Sequence, residues 1–438
     1  MEEKLSKNEI YTVTIEKIVP EGKSLAHLHG KVIFVNGGFP GETVTIQIYK
    51  NKKTFSEARL VEILESSPIR VAPREDHYLI CSPWQAIPYG EQIEFKKQIL
   101  LEAFASQAHT KVKLDDFVES SEMYGYRTKL EFSFTEGPDG KIALAFHKRG
   151  VNNEYEIIDG CELGSTKMNA AAKKITEKLN VTPGILAKGL KSLVIRESKT
   201  TGKVVAVLFY KFKEFIVDLT LADLDGLVDG LFIAYSTIKS PMSVITELKH
   251  AEGDEYIEEN ILGKTIRYPY DGFFQNNLPM FELALAEIRE AVPASDKIVE
   301  IYSGTGSIGF NLADKAKELV GIEIVPSAVK YAGINKELNH IENYQELELP
   351  DHKITPAHLI GTDVLVLDPP RAGLHPKTIK LILETKPKKI VYLSCNPVTQ
   401  ARDLNLLNEA YLVTRLIGFD FYPNTLHMES LLILEAII

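Results

Sequence analysis

Cysteine is scarce in this chain, three in 438 residues. So few thiols cannot build a disulfide-stapled scaffold, and they fit a reducing compartment, so the cytoplasm is the expected location. Long apolar runs are missing too: the longest late one, 431–438, is interrupted by Glu435. No run approaches the length of a membrane-spanning helix, and no membrane partner is expected. Residues 1–11 are polar and mixed in charge, without the apolar centre of a secretion signal. Positive charge is in deficit, with 50 Lys and Arg against 60 Asp and Glu, a net charge of −10. That excludes a large nonspecific nucleic-acid coat but leaves room for a local basic groove. Basic residues do gather at 50–53, at Arg127 and Lys129, at 147–149 and along 188–213. Each cluster alone reads as ordinary solvated surface. No repeat or low-complexity tract is present, and a monomer is expected.

The apolar and charged fractions, 45% and 25%, are those of a globular protein. The length suggests roughly two to four domains. Residues 12–68 alternate in the manner of strands, punctuated by Gly22, Gly30, Gly37, Gly38 and Gly41. This pattern predicts a small five-stranded barrel of the oligonucleotide-binding kind over 1–68, with the proline-containing stretch 66–73 as its linker. From Tyr89 to Gln107 the apolar spacing is helical. Strands follow at 129–134 and 142–146, a helix at 168–179, and strands at 193–196, 204–210, 215–219 and 230–235. This mixture predicts a central α+β domain over 74–268.

From about Asp271 strand and helix alternate. Helices are predicted at 279–291, 308–316, 327–338 and 376–384, strands at 297–301, 318–324, 364–367 and 390–393, and a closing antiparallel hairpin at 411–421 and 427–438. The fold class is therefore α/β, with a doubly wound Rossmann-like domain over 269–438 whose ligand sits at the carboxyl ends of its strands. The run from Gly304 through Gly306 to Gly309 fits G-x-G-x-x-G between a strand and a helix, and Glu323 ends the next strand. Glycines let the backbone approach a ligand, and a carboxylate at that strand end can accept from both hydroxyls of a ribose. An adenosine-containing ligand is implied, either a nicotinamide cofactor or S-adenosylmethionine. Asp368-Pro369-Pro370-Arg371 sets an acid and a rigid turn at the same rim, which suits a nucleotide-modifying methyltransferase better than hydride transfer. Cys395 ends the apolar run 390–393, and Asn396-Pro397 turns the chain there. A thiol so presented is a candidate nucleophile and Glu429 a candidate base; on the tetrapeptide alone, an ordinary buried cysteine is the simpler reading.

Together these pieces resemble the RNA uracil-5-methyltransferase family, specifically its ribosomal-RNA branch with an N-terminal TRAM barrel. The matching segments are Phe273-Phe274-Gln275-Asn276-Asn277, 300–306, 368–373, Ser394-Cys395-Asn396-Pro397 with 401–404, and His427-Met428-Glu429, in the family's order. Tyr124-Gly125-Tyr126-Arg127 extends the likeness into the central region. The resemblance implies an S-adenosylmethionine-dependent methyltransferase acting on RNA. Cys395 would attack carbon 6 of the target uracil and Glu429 would remove the carbon 5 proton. Gln275, Tyr302, Gly304, Gly306, Glu323 and Asp368 would contact the cofactor. Phe273 or Phe274 would hold the extruded base.

Departures from the family pattern carry their own expectations. Many relatives hold a four-iron cluster on four cysteines. Here only Cys81 and Cys161 remain for that role, so no cluster and no metal are expected, with Trp84 and its neighbours packing in its place. Ser303 stands where relatives often have cysteine, a neutral change. The stretch 344–357 lacks the acid expected at the third strand end. Ribosomal RNA is the expected substrate, because bacterial transfer-RNA enzymes of the family usually lack the barrel. The same reaction on a transfer-RNA T-loop, a catalytically inactive RNA-binding protein and a nicotinamide oxidoreductase remain alternatives.

Overall fold

The computed structural model describes residues 5–108, 112–148, 151, 153–214, 218–240 and 242–437. Alternating apolar residues near the N-terminus form strands with every second side chain inward. Ile10–Thr14, Ser24–Leu28, Lys31–Asn36, Thr43–Asn51 and Phe55–Glu65 make one sheet, and the two-residue strand Lys17–Ile18 extends its edge. That sixth strand is too short to show an alternating pattern. Val13, Ile33, Val44, Ile46 and Ile48 are among the residues that fill the core.

The central sheet has seven strands, in the spatial order Tyr155–Ile157, Ile142–His147, Lys129–Glu136, Leu190–Glu197, Val204–Tyr210, Gly230–Tyr235 and Glu247–Gly253. The helix Thr166–Val181 packs on it and starts where Ser165 Oγ accepts the Met168 N–H at 3.1 Å. Of the strand predicted at 215–219, residues 215–217 lie outside the described residues, and Asp218 and Leu219 are not in a strand.

The C-terminal sheet runs Tyr344–Glu348, Ala316–Glu323, Ser295–Ile301, Val364–Leu367, Lys389–Ser394, Glu429–Ala436, Tyr411–Phe419 and Asp116–Val118. Its first five strands are parallel, and the hairpin joins them antiparallel. Apolar side chains fill both faces, which is why Val364–Leu367 reads as an unbroken apolar run. Strand order reverses between Ser295–Ile301 and Val364–Leu367. A crevice opens at such a switch point, outside the carboxyl ends of the strands.

Four features differ from the sequence expectation. The helix predicted at 308–316 is two short pieces, Ser307–Phe310 and Ala313–Lys315, because Ala316 already pairs with Ser295 in the sheet. A helix at Pro397–Leu407 follows Cys395 where only a turn was expected. Tyr89–Gln107 and Asp116–Val118, grouped in the sequence with the central region, belong with the C-terminal domain instead: the helix packs on Pro397–Leu407 and shares the core of the sheet, and the strand pairs with Tyr411–Phe419. Trp84 does not fill the space between Cys81 and Cys161. It packs in another core, edge-on to Phe95 at 6.2 Å and 5.6 Å from Lys96 Nζ.

Lys96 explains why the helix Tyr89–Gln107 docks where it does. Its side chain is fully buried, and Nζ donates to the equally buried Asp420 at 2.5 Å and to the Tyr422 carbonyl at 3.1 Å. Burial pulls the ammonium below its usual range, and Asp420 opposes that shift. Removing one partner of such a pair strands the other charge, at a cost of about 3–5 kcal/mol. Asp420→Ala should therefore lower unfolding stability by that amount in urea, and Lys96→Met with Asp420→Leu should recover most of it. A loss of under about 1 kcal/mol for the single change, the level of an exposed pair, would show that the contact contributes little.

Candidate active site

The glycine loop leaves the strand Ser295–Ile301 by a sharp turn. Tyr302, at φ 67°, is a bulky residue in left-handed backbone, a conformation that costs about 1–3 kcal/mol and persists only where its surroundings enforce it. Its N–H donates to the Ile322 carbonyl at 2.9 Å and its Oη to Asp351 Oδ2 at 2.7 Å. Gly306, at φ 86°, sits where an added Cβ would lie 2.4 Å from the Phe310 ring. Gly309 gives close approach of a different kind. Its N–H donates to the buried Glu300 Oε2 at 3.0 Å, and a Cβ there would stand 2.6 Å from that oxygen. Burial raises the Glu300 carboxyl to about 8, against the pull of that hydrogen bond.

Glu323 closes the loop from the next strand. Its Oε2 accepts the Gly304 N–H at 3.0 Å, and its Oε1 accepts those of Ile324 and Val325 at 2.7 and 2.9 Å. Across the crevice Asp368 follows Val364–Leu367, and Gln275 Nε2 donates to its Oδ2 at 3.2 Å. Burial raises Asp368 to about 7, with Gln275 opposing. Gln275 Oε1 is itself buried without a hydrogen-bond partner.

Cys395 stands between a strand and a helix. The side chain of Asn396 accepts the Val398 N–H at 3.2 Å and Pro397 opens the helix, a cap and first-turn pair that accounts for the Asn-Pro sequence. Asn396 Nδ2 and Thr399 Oγ1 also donate to the Arg371 carbonyl, at 3.0 and 3.2 Å, tying this helix start to the Asp368–Arg371 turn. A helix N-terminus favours a thiolate. Here burial outweighs it: the thiol is pushed up to about 12 by desolvation, then by Glu429 and Asp368, with Arg371 opposing.

Glu429 reaches Cys395 through strand register. Lys389–Ser394 pairs antiparallel with Glu429–Ala436, Leu393 opposite Leu431 and Ser394 opposite Ser430. The next pair in that register is Cys395 with Glu429. Gln400 pins both strands, donating from Nε2 to the Tyr392 and Ser430 carbonyls at 2.8 and 3.1 Å while its Oε1 accepts from Ser430 Oγ at 2.6 Å. Glu429 is buried, its Oε2 has no hydrogen-bond partner, and its carboxyl lies well above the usual range through burial and then Asp368.

A cavity of about 770 Å³ joins these groups, a volume within the range of small-molecule and cofactor sites. Gln275, Tyr302, Gly304, Glu323, Asp368, Cys395 and Glu429 all line it. Gly306 does not; it shapes the turn behind the wall. The two phenylalanines part company. Phe274 is core, stacked on Tyr268 at 4.0 Å, whereas Phe273 is 79% exposed at the cavity edge. Arg371 and His427, which stand in the quoted motifs but were given no role, line the cavity as well, as do Asp351 and Tyr422, which the sequence did not single out. The third strand, Tyr344–Glu348, does end on an acid, contrary to the expectation for 344–357, but the acid that lines the cavity is Asp351, past Leu349 and Pro350.

Comparison with known proteins identifies the family and the fold. The family model for tRNA (uracil-5-)-methyltransferase matches residues 88–437, and that for the TRAM domain matches residues 4–61. An uncharacterized RNA methyltransferase of Caldanaerobacter subterraneus subsp. tengcongensis is 30% identical, covering 98% of this chain and 100% of that protein. One from Thermotoga maritima is also 30% identical, over 95% of this chain and 97% of its own length. Among solved structures, the Pyrococcus abyssi tRNA (uracil-54, C5)-methyltransferase in complex with S-adenosyl-L-homocysteine shares the fold, with a TM-score of 0.76 at 24% identity, covering 96% of this chain and 100% of that one. The chain belongs to the tRNA (uracil-5-)-methyltransferase family, enzymes that methylate carbon 5 of uracil in RNA.

Proposed function

We propose that this enzyme methylates carbon 5 of a specific uridine in ribosomal RNA, using S-adenosylmethionine and a covalent step at Cys395. The observation that carries the reading is the juxtaposition of a thiol and a buried, unpartnered carboxyl at the ends of two paired strands, on the wall of the cavity that the glycine loop borders. Uracil carbon 5 is a poor nucleophile until a thiolate adds at carbon 6. Cys395 Sγ forms that bond, and the ring becomes an enolate with electron density at carbon 5. S-adenosylmethionine, when bound, supplies a methyl group activated by its sulfonium charge. Glu429, as carboxylate, then takes the carbon 5 proton; the C–H electrons restore the 5,6 double bond and expel the Cys395 thiolate.

The cavity suits an adenosyl ligand. Glu323 offers carboxylate lone pairs beside the loop, Gln275 Oε1 is an orphaned acceptor, and Glu300 and Asp368 are carboxyls whose ionised forms a nearby cation would stabilise. Gln275, Tyr302, Gly304, Glu323 and Asp368 are the residues proposed to hold it. Phe273 is placed to stack on the extruded base. For RNA, the central sheet sets Lys129, ion-paired with Glu131, opposite the buried Arg196, and Lys211 near His147. Burial, and next to it the charge of Arg196, lowers Lys129, while burial and Lys211 lower His147. Arg196 also donates to the Gly272 carbonyl, one residue from Phe273. The barrel over 1–68 and the domain over 74–268 are proposed to bind RNA, and 269–438 to catalyse, in a cytoplasmic monomer.

A second reading is methylation of a transfer RNA. The Pyrococcus abyssi fold match covers 96% of this chain, so a protein named for tRNA also spans most of the barrel region. Mapping 5-methyluridine in both RNA classes, with and without the gene, separates the two: loss from ribosomal RNA is expected, and loss confined to transfer RNA would move the assignment.

Cys395→Ala should abolish methyl transfer while leaving cofactor binding within a fewfold in calorimetry. Glu429→Gln should accumulate a methylated protein–RNA adduct visible on denaturing gels; normal turnover by this variant would remove Glu429 as the base. The electrostatics add a pH dependence. With the thiol held at about 12, adduct formation on 5-fluorouridine RNA should accelerate with pH across the neutral range. Because Arg371 is the charge that lowers both Cys395 and Glu429, Arg371→Met should slow adduct formation and move its rise to higher pH. A flat profile from pH 6 to 9 would mean that the thiol is already ionised.

A further inference from the structure

Outside the cavity lining, four side chains of metal-ligating type converge. Glu75, His77 and Cys81 lie on the segment that follows the barrel linker, and Cys161 lies in the loop before the helix Thr166–Val181. One ligand atom from each falls within 4.8 Å of all the others. None of the four lines the active-site cavity. We propose that these residues bind a single divalent transition-metal ion, with zinc the best match, as a closed structural site.

The donor set and its spacing carry the assignment. Two thiolates, an imidazole and a carboxylate are all ligands that zinc takes, and four of them complete a tetrahedron. With metal–ligand bonds of about 2.0–2.3 Å, tetrahedral donors stand about 3.3–3.8 Å apart. The observed group needs only a small contraction to reach that. Cys81 Sγ stands 3.8 Å from Glu75 Oε2 and His77 Nε2 stands 3.3 Å from the other carboxylate oxygen, Oε1, so one oxygen would serve as ligand while the other keeps its outer contact. His77 Nε2 is buried, and its contact with Glu75 Oε1 is an ion-pair approach that does not meet hydrogen-bond geometry. A multinuclear iron–sulfur cluster would need its ligands spread further apart and normally four thiolates.

Outer contacts hold the donors in place, as metal sites require. Glu75 Oε1 accepts the Glu162 N–H at 2.7 Å, and its Oε2 accepts from Gln85 Nε2 at 2.6 Å. Asn169 brackets Cys161, accepting its N–H at 2.9 Å and donating to its carbonyl at 3.0 Å. The Gly125 and Arg127 N–H groups donate to the Glu162 and Leu163 carbonyls at 2.8 and 2.9 Å. An ion here would join the linker segment to the central domain beside Tyr124–Arg127.

The test uses the full-length protein, purified under reducing, anaerobic conditions with zinc present. Elemental analysis should find one zinc per chain. After chelation, cobalt(II) should restore the intense visible absorption of a tetrahedral ion and a near-ultraviolet thiolate charge-transfer band, both saturating at one equivalent. Cys161→Ser should lose the charge-transfer intensity and bind cobalt more weakly by more than the roughly 10–100-fold that loss of an outer partner costs. Cys81→Ser serves where Cys161→Ser does not fold, and Cys395→Ala should leave the spectrum unchanged. Zinc should raise the melting temperature of the parent protein but not of the Cys81 variant. A weak octahedral cobalt spectrum overturns the proposal, as do a band insensitive to both cysteine changes and stoichiometric iron with labile sulfide. A Cys81–Cys161 disulfide that persists under reductant would overturn it as well.

Discussion

The antiparallel register of Lys389–Ser394 on Glu429–Ala436 is the constraint on which the site depends. In a sheet the side-chain period is two, so a slip of one residue would carry Glu429 to the opposite face. The register is over-determined. Leu393 and Leu431 are fully buried opposite one another, Tyr392 and Leu432 likewise, and Gln400 hydrogen-bonds both strands from the helix below. The hairpin partner Tyr411–Phe419 fixes Glu429 from its other side, with Phe419 opposite it. A thiol and a carboxyl 34 positions apart in sequence thus meet because apolar side chains around them leave one alignment that keeps the core dry.

That dry setting decides the chemistry of the free protein. Cys395, Asp368, Glu300 and Glu429 are all raised above their ordinary values, and burial is the first cause each time. Under the proposed mechanism the thiol and the Glu429 carboxyl, both shifted toward their protonated forms by burial, must lose their protons to act. A protein that kept them ionised in so apolar a wall would meet a large desolvation cost in its resting state. A protein that keeps them neutral defers that cost to the complex, where Arg371 and any bound cation offset it.

The C-terminal architecture was legible because its signals are local: apolar runs bounded by glycine, proline and acids, each at a strand end. The barrel was legible through its alternation, apart from Lys17–Ile18, which has no length in which to alternate. The stop of the helix at Phe310 was not legible, because the cause is Ala316 pairing with Ser295, a long-range contact that overrides helical spacing. The placement of Tyr89–Gln107 was illegible for the same reason: a lone lysine at position 96 gives no hint that its partner is Asp420. Among site residues, those inside motifs were visible. Arg371 stood in a quoted motif, yet its electrostatic part emerges only when three separate turns are brought together.

The segment 420–428 between the hairpin strands shows how far the site's support extends. Four consecutive carbonyls there are claimed by four distant groups. Phe421 O accepts from Asn277 Nδ2 at 3.0 Å, Tyr422 O from Lys96 Nζ at 3.1 Å, Pro423 O from Tyr126 Oη at 3.1 Å and Asn424 O from the Trp84 N–H at 3.1 Å. Asn424, at φ 63°, exchanges two further hydrogen bonds with Gln92. Buried carbonyls must be paired, and a loop that pairs them with side chains has exchanged freedom for position. The donors come from the segment before the helix Tyr89–Gln107, that helix, the central domain and the Phe273–Asn277 turn. Each of these regions therefore bears on where Glu429 begins its strand. The Tyr126 donor lies beside the Glu75–Cys161 cluster, through the Arg127 and Gly125 contacts to 162–163. An ion there would stiffen the wall that holds the carboxyl while touching no reacting atom, consistent with a structural site placed apart from the cavity.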